Sequence, residues 1–439
     1  MIDSIRSRRM LGPLLLAALF AAPASAQDIR EIVVNDTGDT AWVLASSALV
    51  LLMTLPGLAL FYGGLVRSKN VLSVALQTGA VAAVVSVLWI VTGYTLAFGD
   101  VSGGWLGNGR AWMLIQLTNV RLGTTIPEST FVLFQMTFAI IAPALMIGAW
   151  VDRARFSWVV IFCAAWSVVV YAPVAHWVWG GGWLATAFGT MDFAGGLVVH
   201  TTAGVSALVV AIMMGARQGF PDQPMLPHAP ALTMVGAALL WVGWFGFNGG
   251  SALAATDDAS TAILNTHVAA STAALVWLLI ERIGFGKTTM VGWATGALAG
   301  LATITPAAAY VSPGASILFG ALASVVCYGA GLQIRKWGID DALGVFAVFG
   351  VGGMLGTLLL GLFVSSALGG TGYAEGMTPL GQLGAQALGI AAVALWSAVL
   401  TAILALGIGI VAPMRVKKKH ELEGLDITSH GERGWHLED

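Results

Sequence analysis

The sequence predicts an all-α polytopic membrane protein: eleven transmembrane helices, arranged as two inverted five-helix repeats and a long final helix. Three observations carry that prediction. Hydrophobic residues make up 57% of the chain and charged ones only 10%, with a mean hydropathy of +0.85. A soluble domain of 439 residues does not tolerate such a balance. Apolar runs long enough to span a bilayer follow one another along the chain. And two short patterns each occur twice, in the same order. The first pair is Gly57-Leu-Ala-Leu-Phe61-Tyr-Gly63-Gly64 and Gly243-Trp-Phe-Gly-Phe247-Asn-Gly249-Gly250. The second is Asp192-Phe-Ala-Gly-Gly-Leu-Val-Val-His200 and Asp341-Ala-Leu-Gly-Val-Phe-Ala-Val-Phe349. Internal duplication in a membrane protein marks a transporter or channel whose site lies between the halves.

Residues 1–26 form a separate unit. Arg6, Arg8 and Arg9 precede an apolar run over 11–22, and Ala24-Ser25-Ala26 supplies an A-x-A cleavage site. That is the layout of a cleavable signal peptide, and a run of about a dozen residues is too short to span. The membrane domain then covers 27–413. Its spans are expected near 42–65, 70–98, 129–151, 156–178 and 193–215 in the first repeat (about 42–215). In the second (about 229–364) they lie near 229–251, 259–281, 289–305, 314–334 and 341–364, and the final helix lies near 380–413. The span at 289–305 is the shortest. Residues 414–439 remain as a tail.

Charge tests the count. With the mature N-terminus outside, the inner loops hold Arg67, Lys69, Arg153, Arg155, Arg217, Arg282, Lys287, Arg335 and Lys336, and the tail adds Arg415 and Lys417 to Lys419. The outer loops hold only Arg110 and Arg121. This is the positive-inside bias, and one miscounted span would destroy it. It places the mature N-terminus in the periplasm and the tail in the cytoplasm.

The same topology explains the repeats. The span opening at Asp192 runs inward and the one opening at Asp341 runs outward. An Asp at a helix start caps free N–H groups and suits the positive end of the dipole; Asp340 reads the same way. Eight residues at roughly 1.5 Å each is about 12 Å. His200 and Phe349 are thereby carried toward the bilayer centre from opposite faces, where they are expected to meet.

Few residues offer chemistry. His200 is the one ionisable group clearly placed in mid-span, which makes it a functional candidate because desolvating it is costly. The bland alternative is a neutral ring bonded to a carbonyl. Phe134, Phe138, Trp179, Phe247, Ser251 and Asp192 come to one depth at the outer leaflet. Aromatic faces there would attract a small cation, at roughly 2 kcal/mol per partly dehydrated contact. An interfacial belt is the competing account, and with 17 Trp in the chain it covers most of them. His267, in the seventh span, has no repeat mate and reads as a packing or subunit contact. Asp257 and Asp258 read as a loop cap. Cys163 and Cys327 sit in apolar runs, as reduced packing residues. No metal spacing, phosphate loop or nucleophile beside a base is present, so neither enzyme, cofactor nor metal is expected. The net charge of −2, with no basic cluster among aromatics, gives no sign of nucleic-acid binding.

Several longer motifs resemble the ammonium transporter family (Amt/Mep/Rh), in its bacterial Amt branch. They are Phe61-Tyr-Gly-Gly-Leu-Val-Arg67-Ser-Lys-Asn70, Ala175-His-Trp-Val-Trp-Gly-Gly-Gly182, the Asp192 to His200 segment, Gly243-Trp-Phe-Gly-Phe-Asn248, Thr305-Pro306 and Glu423-Gly-Leu-Asp-Ile-Thr-Ser-His-Gly-Glu432. The resemblance implies a homotrimer in the bacterial inner membrane with one narrow apolar pore per subunit. It implies outer recruitment of ammonium by Trp179, Phe138 and Ser251, with Asp192 holding local geometry. It implies a gate of Phe138 and Phe247, with Trp244 and His200 beneath. It also implies a tail that couples to a PII-type signalling protein at the cytoplasmic face, where Arg67 and Lys69 offer basic surface.

One departure stands out. The family's second pore histidine should occupy position 349, and this chain has Phe349; Gly344 also replaces a usual acidic residue. A phenyl ring neither donates, accepts nor relays a proton. Three outcomes follow: conduction of ammonium or ammonia with altered coupling, acceptance of methylated amines, or an ammonium sensor with weak conduction.

Overall fold

The computed structural model describes residues 35–223 and 225–435. The leader expected at 1–26 lies outside them. The described chain is helical almost throughout, as apolar sequence in lipid requires: every backbone N–H and C=O must find a partner within the protein. The helices are α1 (Thr37–Leu65), α2 (Ser68–Phe98), α3 (Glu128–Trp150), α4 (Phe156–Phe188, interrupted at 179–182), α5 (Gly196–Met214) and α6 (Pro230–Gly250). They continue as α7 (Asp257–Phe285), α8 (Met290–Ile304), α9 (Pro313–Lys336), α10 (Phe346–Phe363) and α11 (Pro379–Val411). Ten of these are long and apolar enough to cross a membrane. The remaining one, α8, has 15 residues and continues into a short 3-10 turn over Thr305–Ala307; it is the span that the sequence makes shortest. The chain is a multi-pass membrane protein.

The duplicated motifs pack on one another. Gly57 of α1 lies against Leu239 and Leu240 of α6, and Gly236 and Gly243 of α6 lie against Phe61 and Met53 of α1. α5 and α10 cross more closely still. A Cβ on Gly204 would come within 2.2 Å of the Gly350 Cα, and one on Gly353 within 2.7 Å of the His200 Cβ. Contacts that short leave no room for any side chain, so the crossing exists because these positions are glycine.

Both crossing helices begin with a wide π turn, Gly196–Thr201 in α5 and Phe346–Gly350 in α10. Such turns are rare and frequently mark functional sites. Each is entered through a glycine in the left-handed region, Gly195 at φ +117° and Gly344 at φ +73°.

Between α2 and α3 the connection carries a small hairpin, Val101–Ser102 against Leu106–Gly107. Arg121 pins it: the guanidinium lies 4.9 Å from the Phe131 ring centroid and 3.4 Å from the Glu128 carboxylate. At the opposite end the tail folds back onto the helices. Arg415 pairs with Glu421 at 2.8 Å and donates to the carbonyls of Met214 and Ala216. Asp426 accepts from the Leu72 and Ser73 N–H groups, capping α2.

Two sequence expectations change at this end. Asp340 does not cap a helix; it forms a bidentate pair with Arg217, 2.8 Å on each side, and lies 3.6 Å from Arg153. Burial pushes its carboxyl up, but the bound guanidinium outweighs burial and holds it below the usual carboxylate range. Arg67 and Lys69, read as basic surface, are engaged within the chain. Arg67 sits 3.4 Å from Asp152, and Lys69 donates to the Leu422 carbonyl.

Candidate functional site

Asp192 builds the site's upper edge. Its Oδ1 accepts from the Gly195 and Gly196 N–H groups at 2.8 and 2.7 Å, and its Oδ2 from Leu197 and Val198 at 2.7 and 3.1 Å. Every free N–H of the α5 start is thus satisfied by one carboxylate, as an N-terminal Asp should do. Asp341 does the same for α10, accepting from Val345 and Phe346 at 3.0 and 2.8 Å. The two caps are related as the repeat implies. The Asp192 carbonyl accepts from the Trp179 indole Nε1 at 2.8 Å, which fixes that ring where α4 is interrupted.

From Trp179 of α4 a series of ring contacts runs through α3 and α6 to His200 of α5 and Phe349 of α10. Phe138 of α3 meets Trp179 edge to face, centroids 5.7 Å apart and planes at 88°. Beneath, Phe138 and Phe247 of α6 stack at 4.2 Å and 23°. That separation is van der Waals contact, so nothing passes between the two faces without a ring turning. Phe134 packs against Phe138 at 5.0 Å, in the space that Gly250 leaves open. Ser251 ends α6 one turn beyond Phe247, and its hydroxyl donates to the Phe247 carbonyl at 2.9 Å. Its oxygen lone pairs stay available as acceptors.

Below the stacked pair lies His200. Its ring is 6.0 Å from Phe247, 5.5 Å from Trp244 and 5.9 Å from Phe349. It is 1% exposed, and neither ring nitrogen has a hydrogen-bond partner among the described residues. The bland alternative of a carbonyl-bonded ring is therefore not what the structure shows. The Trp244 indole is not free to bond it, because its Nε1 donates to the Thr305 hydroxyl at 2.9 Å. His200 and Phe349 meet, as the repeat geometry predicts. Trp179, Phe138, Phe247, Trp244, His200 and Phe349 are brought together, while Asp192 acts on them through the backbone.

His267 lies apart. It is solvent- or lipid-exposed in the single chain and packs against Trp241 at 5.5 Å and Phe245 at 6.0 Å. Thr305 is the residue that sequence reading left without a role; its signal was the Thr305-Pro306 motif, whose partner Trp244 is 61 residues away. Among the described residues no group of His, Cys, Asp or Glu is arranged to hold a metal. Cys163 and Cys327 are buried and free.

The comparisons with known proteins agree with one another. The model of the Ammonium Transporter Family matches residues 41–435. An ammonium transporter of Aquifex aeolicus is 44% identical, with 96% of this chain and 98% of that one covered. One from Bacillus subtilis is 42% identical, over 91% of this chain and 98% of that one. Among solved structures, a chain titled sensor Amt protein superposes with a TM-score of 0.84 at 31% identity, covering 90% of this chain and 98% of that one. Saccharomyces cerevisiae Mep2 gives 0.83 at 30% identity, over 94% and 100%. With its fold, its duplicated helices and near-complete coverage by these relatives, this chain belongs to the ammonium transporter family.

Proposed function

We propose that this chain conducts ammonium, or the ammonia derived from it, across a bacterial inner membrane along the rings contributed by α3, α4, α5, α6 and α10. The unbroken sequence of rings from Trp179 to Phe349, with one unpartnered imidazole in its middle, carries the reading. At the outer end the faces of Trp179 and Phe138 hold a partly dehydrated cation, and the Ser251 oxygen accepts one of its N–H groups. Asp192 is a positioning residue here, since its oxygens are already engaged by four N–H groups. Phe138 and Phe247 form the gate.

Below the gate the passage is apolar. A bare cation is costly there, so the proton is shed and the neutral molecule continues. His200 is the only group in the column able to take that proton; because Phe349 cannot pass it inward, the proton returns to the outer side before the next turnover. Charge movement is accordingly weak relative to substrate movement. The free nitrogens of His200 support this division of labour, and the phenyl ring 5.9 Å away supports the loss of coupling.

The remaining parts of the reading concern assembly and processing. Residues 1–26 are a cleaved leader, and 414–439 are a cytoplasmic regulatory tail able to engage a PII-type protein. The chain forms a homotrimer, in which His267, an imidazole of α7 that is exposed in the single chain, is covered by a neighbouring subunit. A second reading, an ammonium sensor with weak conduction, draws on Phe349 and on the likeness to the sensor Amt protein. Uptake of labelled methylammonium by cells lacking other ammonium transporters separates the two. Conduction predicts uptake well above vector controls, reduced by Trp179→Leu. No uptake by correctly inserted protein rejects conduction and leaves the sensor.

A further inference from the structure

The loop 189–192, which leads into Asp192, has no regular structure, so its backbone groups need partners from elsewhere. The Gly189 and Thr190 N–H groups bond back to α4, whereas the Gly189 carbonyl and both polar groups of Met191 find partners on α11, the helix that stands outside the inverted repeat. The Met191 N–H donates to Gln386 Oε1 at 2.8 Å, and Gln386 Nε2 donates to the Met191 carbonyl at 2.7 Å. One side-chain amide thus holds both polar groups of the residue before Asp192, as a neighbouring strand would. Gln386 Nε2 also reaches the Thr357 carbonyl of α10 at 3.3 Å, and its Oε1 accepts from Gln382 at 3.2 Å. All four bonding positions of the amide are filled.

The clasp extends along one face of α11. Gln382 donates to the Gly189 carbonyl at 3.0 Å, and the Thr190 hydroxyl to the Ala385 carbonyl at 3.1 Å. Gly389, one turn further on, lets the loop lie close: a Cβ there would meet the Thr190 methyl at 2.7 Å. Gln382 and Gln386 are 1% and 0% exposed on a helix that is otherwise largely exposed in the single chain. Burying two amides in such a helix is costly unless they are hydrogen-bonded, and it is the loop backbone that satisfies most of their bonds.

We infer that α11, through Gln386, is a positioning element for the outer cation site: it sets the height of the Met191–Asp192 backbone and hence of the Trp179 ring bonded to the Asp192 carbonyl. This rests on the reading of Trp179 and Phe138 as the recruitment site. It assigns the unrepeated helix a part in substrate affinity, and it ties the rim to α10 through Thr357.

The test uses the full-length protein in proteoliposomes, with labelled methylammonium as the probe. Gln386→Leu roughly keeps the volume and removes the four bonds of the Gln386 amide, leaving the Gln382–Gly189 and Thr190–Ala385 bonds in place. The expected result is a half-saturating concentration raised about five-fold or more, the scale on which a displaced cation–π contact is felt. The maximal rate stays within about two-fold, because gate and pore are untouched. Amide hydrogen exchange should quicken in the segment containing Met191 and remain unchanged in α5 below His200. Thr190→Val, a milder cut that serves if Gln386→Leu does not fold, should shift half-saturation the same way by less. A folded Gln386→Leu protein with unaltered half-saturation, or with only its maximal rate lowered, overturns the proposal. Trp179→Leu runs alongside. If it too leaves half-saturation unmoved, the recruitment site itself is misassigned and the clasp has no affinity to set.

Discussion

Asp192 decides more than any other single side chain, and it does so without touching substrate. Both oxygens are taken by backbone N–H groups, and its own carbonyl holds Trp179. Replacing it by Ala orphans four buried donors, each at a cost of about 1–3 kcal/mol, and unfixes the backbone whose carbonyl holds the ring. Asp192→Ala should therefore abolish methylammonium uptake at every concentration tested. A residue that merely ligated the cation would give uptake that recovers as substrate is raised, and concentration dependence distinguishes the two. At this scale the sequence was legible where chemistry is local. The Asp that opens each repeated segment and the ring eight residues on announce the caps and the meeting of His200 with Phe349. Asp340 was not legible, because its partner Arg217 lies 123 residues away and the neighbouring Asp341 invites the same capping role. Thr305 was hidden for a similar reason.

The helices themselves follow from apolar length, and even the short α8 falls where hydropathy puts it. What hydropathy does not reveal is how near they come. α5 and α10 touch backbone to backbone at Gly204 and Gly350, and the π turns that aim His200 and Phe349 leave no mark in composition. Gly204→Val should be severely destabilising, since the Gly350 backbone that it would strike has nowhere to move; overpacking costs about 1–3 kcal/mol even where neighbours give way. Little monodisperse protein should survive extraction in detergent. Gly407→Ala on α11, where a Cβ meets nothing within 4 Å, should extract like the parent. Equal yields of the two variants would mean that the crossing is looser than described.

Across the whole molecule the two ends are built differently. The Trp179 end is a stack of rings, whereas the end bearing the tail is a buried charge network. Arg217 joins Asp152 at 3.4 Å and Asp340 at 2.8 Å, and Arg153 is fully buried beside Asp340. The folded-state pKa of Asp340 is depressed. Its contribution to stability is therefore complete above the ordinary carboxylate value of about 3.9 and is lost as pH falls through the lower, folded-state value. Asp340→Asn should lower the unfolding temperature at neutral pH, since breaking one side of a buried pair costs about 3–5 kcal/mol. The gap between variant and parent should close only below the ordinary carboxylate range. A gap that already closes near pH 6 would show that Asp340 is not held down by Arg217.

On the proposed function, a lone imidazole facing a phenyl ring moves substrate without its full complement of charge. The most direct measurement is the ratio of charge to methylammonium transported, from solid-supported-membrane currents and labelled uptake on the same proteoliposomes. The parent should give substrate movement with little current, and Phe349→His should raise the charge carried per substrate. Identical currents in the two forms at equal uptake would contradict it.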